Sequence, residues 1–244
     1  MIAVMGNYEH GRTAGRLGAI RRYPVKSLEG ESTDHAVVDQ RGLNGDRLWS
    51  VRDPDGKLGS GKSSRRFRRM HGLLELTAGY DGEVPVIGFP DGSVVRGDDD
   101  AVHAALSGHV GRPVRLARKQ EVSHFDDGPV HLVTTASLRQ VERAYGRPVD
   151  PVRLRPNLLL DVPGDGFVED SWVGREVSIG SDVVLAVRMR MPRCVMVDLP
   201  EPGTTVDGRL LQTVTHLNDG CLVVVADVVR GGTIRVGDGA TLVG

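Results

Sequence analysis

The feature that most constrains this chain is how often it is broken. Its 244 residues include 32 glycines and 13 prolines, so turns recur throughout and the segments between them are short. β-type segments fall at residues 16–23, 48–52, 73–77, 86–89, 93–96, 114–116, 130–133, 157–161, 183–189, 222–226 and 233–236. Strands this short and this regularly punctuated predict a mainly β (α+β) fold, a barrel or compact mixed sheet. Asp53-Pro54-Asp55-Gly56 and Gly231-Gly232 are turn sequences. Two helices are expected. One spans 98–109, with Asp98, Asp99 and Asp100 at its N-terminus and Val102, Leu106 and Val110 on one face. The other spans 135–145, with Leu138, Val141 and Tyr145 spaced for burial and Gly146 ending it. Neither alternates regularly with strands, which argues against a doubly wound α/β sheet. A boundary falls within 97–120, where strand-rich sequence gives way to a helix and a polar stretch.

Hydrophobic residues make up 39% of the chain, enough for a packed core, and the formal net charge is −1. That balance argues against a general nucleic-acid binder. All but four of the 31 basic residues (Lys26, Lys57, Lys62 and Lys119) are arginine, a side chain suited to multidentate anion contacts. No apolar run approaches the length of a membrane span. Residues 1–15 read as a loose leader rather than a secretion signal, so the expected compartment is the cytoplasm. Two cysteines, Cys194 and Cys221, are too few for a disulfide framework, a four-cysteine zinc site or an all-cysteine iron–sulfur cluster.

Cys194 follows a segment with the period of a strand. Val183, Leu185, Val187 and Met189 alternate with Val184, Ala186, Arg188 and Arg190, and Pro192 should end the ladder. Arg193 and Cys194 then lie just past a strand end, where rigid scaffolds present functional groups. Nearby arginines favour the thiolate, the form that ligates metal or attacks. On these local features alone, a packing role and a reactive role are evenly matched. Cys221 precedes the apolar run Leu222-Val223-Val224-Val225 and reads as core.

Six further stretches occur in a telling order. Tyr23-Pro24-Val25-Lys26-Ser27-Leu28 comes first, then Gly45-Asp46-Arg47-Leu48-Trp49 and Arg153-Leu154-Arg155-Pro156-Asn157. Phe167-Val168-Glu169-Asp170-Ser171-Trp172-Val173-Gly174 follows, then Pro192-Arg193-Cys194-Val195-Met196, and last Gly231-Gly232-Thr233-Ile234-Arg235-Val236-Gly237-Asp238. Together they resemble the landmarks of the MOSC family: the opening of its N-terminal β-barrel region, its R-x-R-P-N strand, its E-x-x-W-x-G turn, its R-C site and its closing hairpin. The resemblance covers residues 16–244. It implies a flexible leader at 1–15, an N-terminal MOSC β-barrel domain at 16–100 and a β-barrel-like MOSC domain at 101–244.

The resemblance also implies a molybdenum cofactor, a molybdopterin, with Cys194 as the protein ligand to the metal and as the catalytic residue. A soft thiolate suits an oxo-metal centre. The cofactor's phosphate needs charge-assisted donors. By position in the family motifs these are Lys26, Ser27, Arg47, Arg155 and Asn157, with Arg193 beside the ligand. Thr134 or Ser137, opening the second helix, would add donors where the helix dipole favours an anion. Trp172 reads as core. The family pattern often continues past the cysteine with threonines and a D-P-x-T-G stretch. Here Val197-Asp198-Leu199-Pro200-Glu201-Pro202-Gly203 stands instead, and Asp198 is expected to alter the substrate side of the site.

Two functions are compatible with this resemblance. One is an oxidoreductase like the amidoxime-reducing branch, reducing N-hydroxylated small molecules with electrons from a separate donor, a flavin reductase with a ferredoxin or haem carrier. The other is a carrier of persulfide sulfur or of the cofactor during maturation. Neither calls for nucleic acid or a membrane. Gly56-Lys57-Leu58-Gly59-Ser60-Gly61-Lys62-Ser63 satisfies the phosphate-loop pattern, but a turn precedes it and no apolar-faced helix follows. It reads as a hairpin and loop near the cofactor, where Lys62 or Ser63 would meet an anion. His124-Phe125-Asp126-Asp127 has too few ligands at useful spacing for a metal site.

Overall fold

The computed structural model describes residues 12–119, 124–200 and 207–243. Seven strands close on themselves. In order around the barrel they are Arg12–Arg22, Leu158–Asp161, Val130–Thr134, Cys221–Arg230, Val183–Pro192, Glu176–Ile179 and Gly239–Val243, which pairs back to the first. Every pairing is antiparallel except Val130–Thr134 with Leu158–Asp161. That parallel pair requires a crossover, supplied by the helix Thr135–Tyr145. Closure leaves no free edge among these strands, and Glu31–Thr33 extends from Arg12–Arg22 as a short flap.

The barrel is filled by alternating inward side chains, among them Leu17, Ile20, Leu132, Leu160, Val177, Leu185 and Val187, with Trp172 among them. Each fully buried aliphatic contributes roughly 1.5–3 kcal/mol relative to exposure. The helices are α1 (Ala101–Val110), α2 (Thr135–Tyr145) and α3 (Leu210–Asn218). α2 and α3 cover the barrel's outside, packing Leu138, Val141, Leu210 and Val214 against Val133, Val223 and Val225. A third cluster joins Val25, Leu28, Val51, Leu73, Ile87, Val102, Leu106 and Leu116. Small sheets surround it: Val84–Gly88 between Thr77–Asp81 and Val94–Arg96, and Trp49–Arg52 between Leu58–Ser60 and Arg115–Arg118. No helix among the described residues is long and apolar enough to cross a membrane.

The fold is mainly β, as the turn density implies, and both expected helices form. Several details differ from expectation. Arg12 already pairs with Leu242, so residues 12–15 are strand and not leader; residues 1–11 lie outside the described ones. The segment 73–77 becomes strand only at Thr77: a 3-10 turn over Leu73–Glu75 precedes it, and Leu73 and Leu76 face one core. The R-x-R-P-N stretch begins as a 3-10 turn, Pro151–Leu154, before its strand. The final stretch is not a hairpin on itself, because Gly232–Arg235 pairs with His35–Asp39 while Gly239–Val243 closes the barrel. Cys221 is only half-buried at its strand's start. Hydrogen-bonded pairings cross the expected division at 100–101 both ways. Arg12–Arg22 lies in the barrel with the C-terminal strands, while α1 and Arg115–Arg118 pack with the N-terminal cluster.

Candidate functional site

Six separate segments converge on one cavity of about 280 Å3. Each is brought there by identifiable local chemistry. Strand Val183–Pro192 ends at its proline, as expected, and the Arg193 N–H still donates to the Gly220 carbonyl at 2.7 Å. Register shifts against Cys221–Arg230 mark bulges near this end, a device that re-aims side chains beside functional sites. Cys194 then opens the 3-10 turn Val195–Asp198, and its carbonyl accepts from the Val197 N–H at 3.1 Å.

The opposite wall is made by the segment after the first strand and the loop before Trp49. Lys26 N–H donates to the Trp49 carbonyl, and Arg47 N–H to the Tyr23 carbonyl. Among the described residues, five that are not glycine adopt positive φ, and three of them are here: Ser27 at 71°, Arg47 at 49° and Arg155 at 52°. Such conformations cost about 1–3 kcal/mol each and persist where the surroundings over-determine them, commonly at functional sites. The surroundings are visible. Ser27 Oγ donates to the Gly59 carbonyl at 3.0 Å. Arg47 is paired with Asp46 and donates to the Arg155 carbonyl at 3.3 Å. The guanidinium carbons of Arg47 and Arg155 stand 4.8 and 4.5 Å from the centre of the Tyr23 ring. Burial raises the Tyr23 phenol against the pull of both arginines, so it stays neutral and donates to the Pro156 carbonyl at 3.0 Å.

Lys26, 5% exposed, ion-pairs with Asp126 at 2.7 Å. Burial lowers the lysine to about 8, and the lysine outweighs burial at Asp126, holding it at about 2. Both are therefore charged at neutral pH. Lys62 comes from the phosphate-loop-like stretch, which forms a strand and an irregular loop with no helix after it. Its Nζ lies 3.9 Å from Cys194 Sγ. At the neighbouring Gly61 a Cβ would sit 2.4 Å from the Leu199 side chain and 2.8 Å from the Met196 sulfur, so a larger residue there would displace those side chains. Met189, Met191 and Met196 complete the lining.

Of the residues marked by sequence, Cys194, Lys26, Ser27, Arg47, Arg155 and Arg193 line this cavity. Asn157 stands behind it, accepting from the His131 N–H at 3.0 Å and donating to the Arg21 carbonyl. Ser137 belongs elsewhere. Its hydroxyl donates to Glu169 at 2.6 Å, as does that of Thr134 at 2.7 Å. The acceptor at the N-terminus of α2 is thus the chain's own Glu169, whose carboxyl burial pushes above its usual range. Asp198 also turns away from the cavity. It accepts from the Leu210 and Leu211 N–H groups, capping α3, and pairs with Arg153 at 3.4 Å. Glu201, Pro202 and Gly203 lie outside the described residues. Sequence reasoning missed Asp126, Asp127 and His131 as cavity residues. For His131 a signal existed: one titratable residue inside the buried run Val130–Thr134.

His124 is structural. Its Nδ1 donates to the Arg47 carbonyl at 3.0 Å, and its Nε2 accepts from Ser50 and Arg52. Burial lowers it to about 4 from 6.5. The unfolded chain therefore binds the extra proton first as pH falls, so this stability is whole above about 6.5 and is lost toward 4. The expected loss is about 3 kcal/mol, and buried, neutral His131 adds to it in the same direction. Urea unfolding at pH 7 and 4.5 checks this; His124→Gln should flatten the difference, and an unchanged slope would contradict the assignment.

Comparison with known proteins now bears on this geometry. The model of the MOSC domain matches residues 97–241, and that of the MOSC N-terminal beta barrel domain matches 14–84. The chain belongs to the MOSC domain family. This MOSC chain is 26% identical to mitochondrial amidoxime-reducing component 1 of Mus musculus, over 94% of its own length and 83% of the relative's. It is 24% identical to a molybdenum cofactor sulfurase of Oryza sativa subsp. japonica, over 78% of its own length. There it spans only 29% of the relative. The crystal structure of the YUAD protein from Bacillus subtilis superposes with a TM-score of 0.51 at 14% identity, covering 93% of this chain and 94% of that one. That likeness shows the fold alone.

Proposed function

We propose that this MOSC protein holds a molybdopterin-type molybdenum cofactor in the Cys194 cavity and reduces N-hydroxylated small molecules. The observation that carries the reading is the donor set. One thiol stands at the end of a cavity lined by Lys26, Ser27, Arg47, Arg155 and Arg193. Among the described residues no three His, Cys, Asp or Glu side chains gather to hold a metal ion. A metal bound here would have to arrive with most of its ligands, as one held by a pterin dithiolene does, and take a soft thiolate from the protein. The cationic wall fits the cofactor's phosphate, and the left-handed turns at Ser27, Arg47 and Arg155 hold that wall rigid.

When bound, such a cofactor supplies two-electron oxygen-atom transfer. The chain's own residues bind, orient and exclude water. Lys26 and Arg47 are fixed by Asp126 and Asp46. Met189, Met191 and Met196 give an adaptable apolar wall for the substrate, and Lys62 places a positive charge beside Cys194. Overall, an N-hydroxy group, two electrons and two protons yield N–H and water. The electrons come from a separate protein, a flavin reductase with a ferredoxin or haem carrier. The similarity to a sulfurase and the half-buried thiol support a second reading, in which Cys194 carries sulfur or the chain shelters the cofactor.

The test is to produce the chain in a host that makes the cofactor, measure molybdenum and pterin per chain, and offer benzamidoxime with a viologen donor. About one metal per chain and release of benzamidine are expected. A loaded protein that never turns over favours the carrier; a protein that never holds molybdenum or pterin sinks the cofactor reading.

A further inference from the structure

The polar lining of the cavity combines the donors Lys26, Arg47, Lys62, Arg155 and Arg193 with two carboxylates, Asp126 and Asp127, and one buried imidazole. His131 projects from Val130–Thr134, is 3% exposed and lines the cavity. Its Nε2 is among the few buried polar side-chain atoms of the described residues with no hydrogen-bond partner. The ring also faces the Arg155 carbonyl, an acceptor that favours a proton on the ring. That carbonyl is held in place by the left-handed turn at Arg155, and it also receives the Arg47 guanidinium. With the ring proton directed to that carbonyl from Nδ1, Nε2 is left with a bare lone pair and no partner. Arg47 and Arg193 flank it and, with burial, keep it neutral. A buried polar atom left without a partner calls for an explanation.

We infer that His131 Nε2 is a positioning group that accepts a hydrogen bond from a ring N–H of the bound pterin; this rests on the cofactor reading above. The location favours the cofactor over the substrate. His131 is anchored through its own N–H to Asn157, beside Arg47 and Arg155. A fully deprotonated phosphate offers no proton to this nitrogen, so Nε2 addresses the donor-bearing part of the ligand while the arginines and Lys26 address its anion. In this way the site reads both ends of one molecule.

The experiment uses full-length protein, with and without cofactor, labelled with nitrogen-15 in its histidine rings. In cofactor-free protein the His131 Nε2 resonance should hold the position of an unprotonated ring nitrogen from pH 5 to 8. On loading it should move as an accepted hydrogen bond requires. In parallel, His131→Leu should lower pterin per chain roughly ten- to a hundredfold, while His131→Gln, which keeps an acceptor, should restore part of it. Circular dichroism and melting confirm that both variants fold, and should they not, the resonance of the wild type decides alone. Pterin retained with an unmoved resonance overturns the assignment and leaves the functional reading intact. A resonance that moves only when benzamidoxime is added transfers the contact to the substrate and also overturns it. Wild-type protein without pterin fells both.

Discussion

Cys194→Ala, made in a cofactor-competent host, is expected to fold normally and to lose its molybdenum. The thiol is half-buried, and Lys62 is its one side-chain partner within hydrogen-bonding distance among the described residues. Its removal should cost less than about 1 kcal/mol, the usual range for a site away from core packing. The effect on the metal should be far larger. Loss of an outer partner in a metal site typically costs 10–100-fold in affinity, and loss of the ligand itself should exceed that, leaving turnover of benzamidoxime unmeasurable. Cys221→Ala is the matched control. That residue lies at the start of its strand, lines no part of the cavity and should retain full metal content. Metal analysis, pterin fluorescence and melting on the three proteins check the prediction. Full molybdenum in Cys194→Ala would remove the thiol from the site.

The contrast between these cysteines shows what the chain discloses and what it conceals. The strand leading to Cys194 was legible because its apolar residues alternate and a proline closes it. α2 was legible because its signals are local: Thr134 accepts from the Ser137 N–H, and Gly146 ends the helix at φ 78°. α3 has a local stop, with Asp219 and Gly220 in the left-handed conformation, but its first turn depends on a distant residue. Its N-terminal N–H groups are capped by Asp198, twelve residues upstream, so the same aspartate was misplaced at the substrate side and the helix went unseen. Both errors have one cause, a cap that exists only in three dimensions.

Closure of the barrel was hidden in a similar way. Glu176–Ile179 and Gly239–Val243 are short, half-polar strands that pair with each other, and the second closes the barrel on Arg12–Arg22. The cationic wall could be read from motif positions, but the partners that hold it could not. Asp126 lies 100 residues from Lys26, and Asn157 lies 110 from Arg47. Spacing along the chain gives no hint of either pair, and His131 gains its meaning only from the carbonyl of Arg155.

The most costly single change should be at one of those hidden supports. Asp46 is 1% exposed, pairs with Arg47 and accepts from the Tyr23 N–H at 2.8 Å. Asp46→Ala would leave a buried guanidinium and a buried N–H without that partner. Breaking such a pair by removing one member typically costs about 3–5 kcal/mol, a large share of a domain's roughly 5–15 kcal/mol. Replacing both members should cost less, because no uncompensated charge remains. The double variant Asp46→Ala, Arg47→Met is therefore expected to be more stable than Asp46→Ala alone, although it too should lose the cofactor. Urea unfolding of the two variants, with pterin measured alongside, separates these effects. If the double variant unfolds as readily as the single one, the cost lies in the Tyr23 contact instead. The left-handed turn at Arg47 would then be held by the backbone, and the Asp46 pair would serve the ligand rather than the fold.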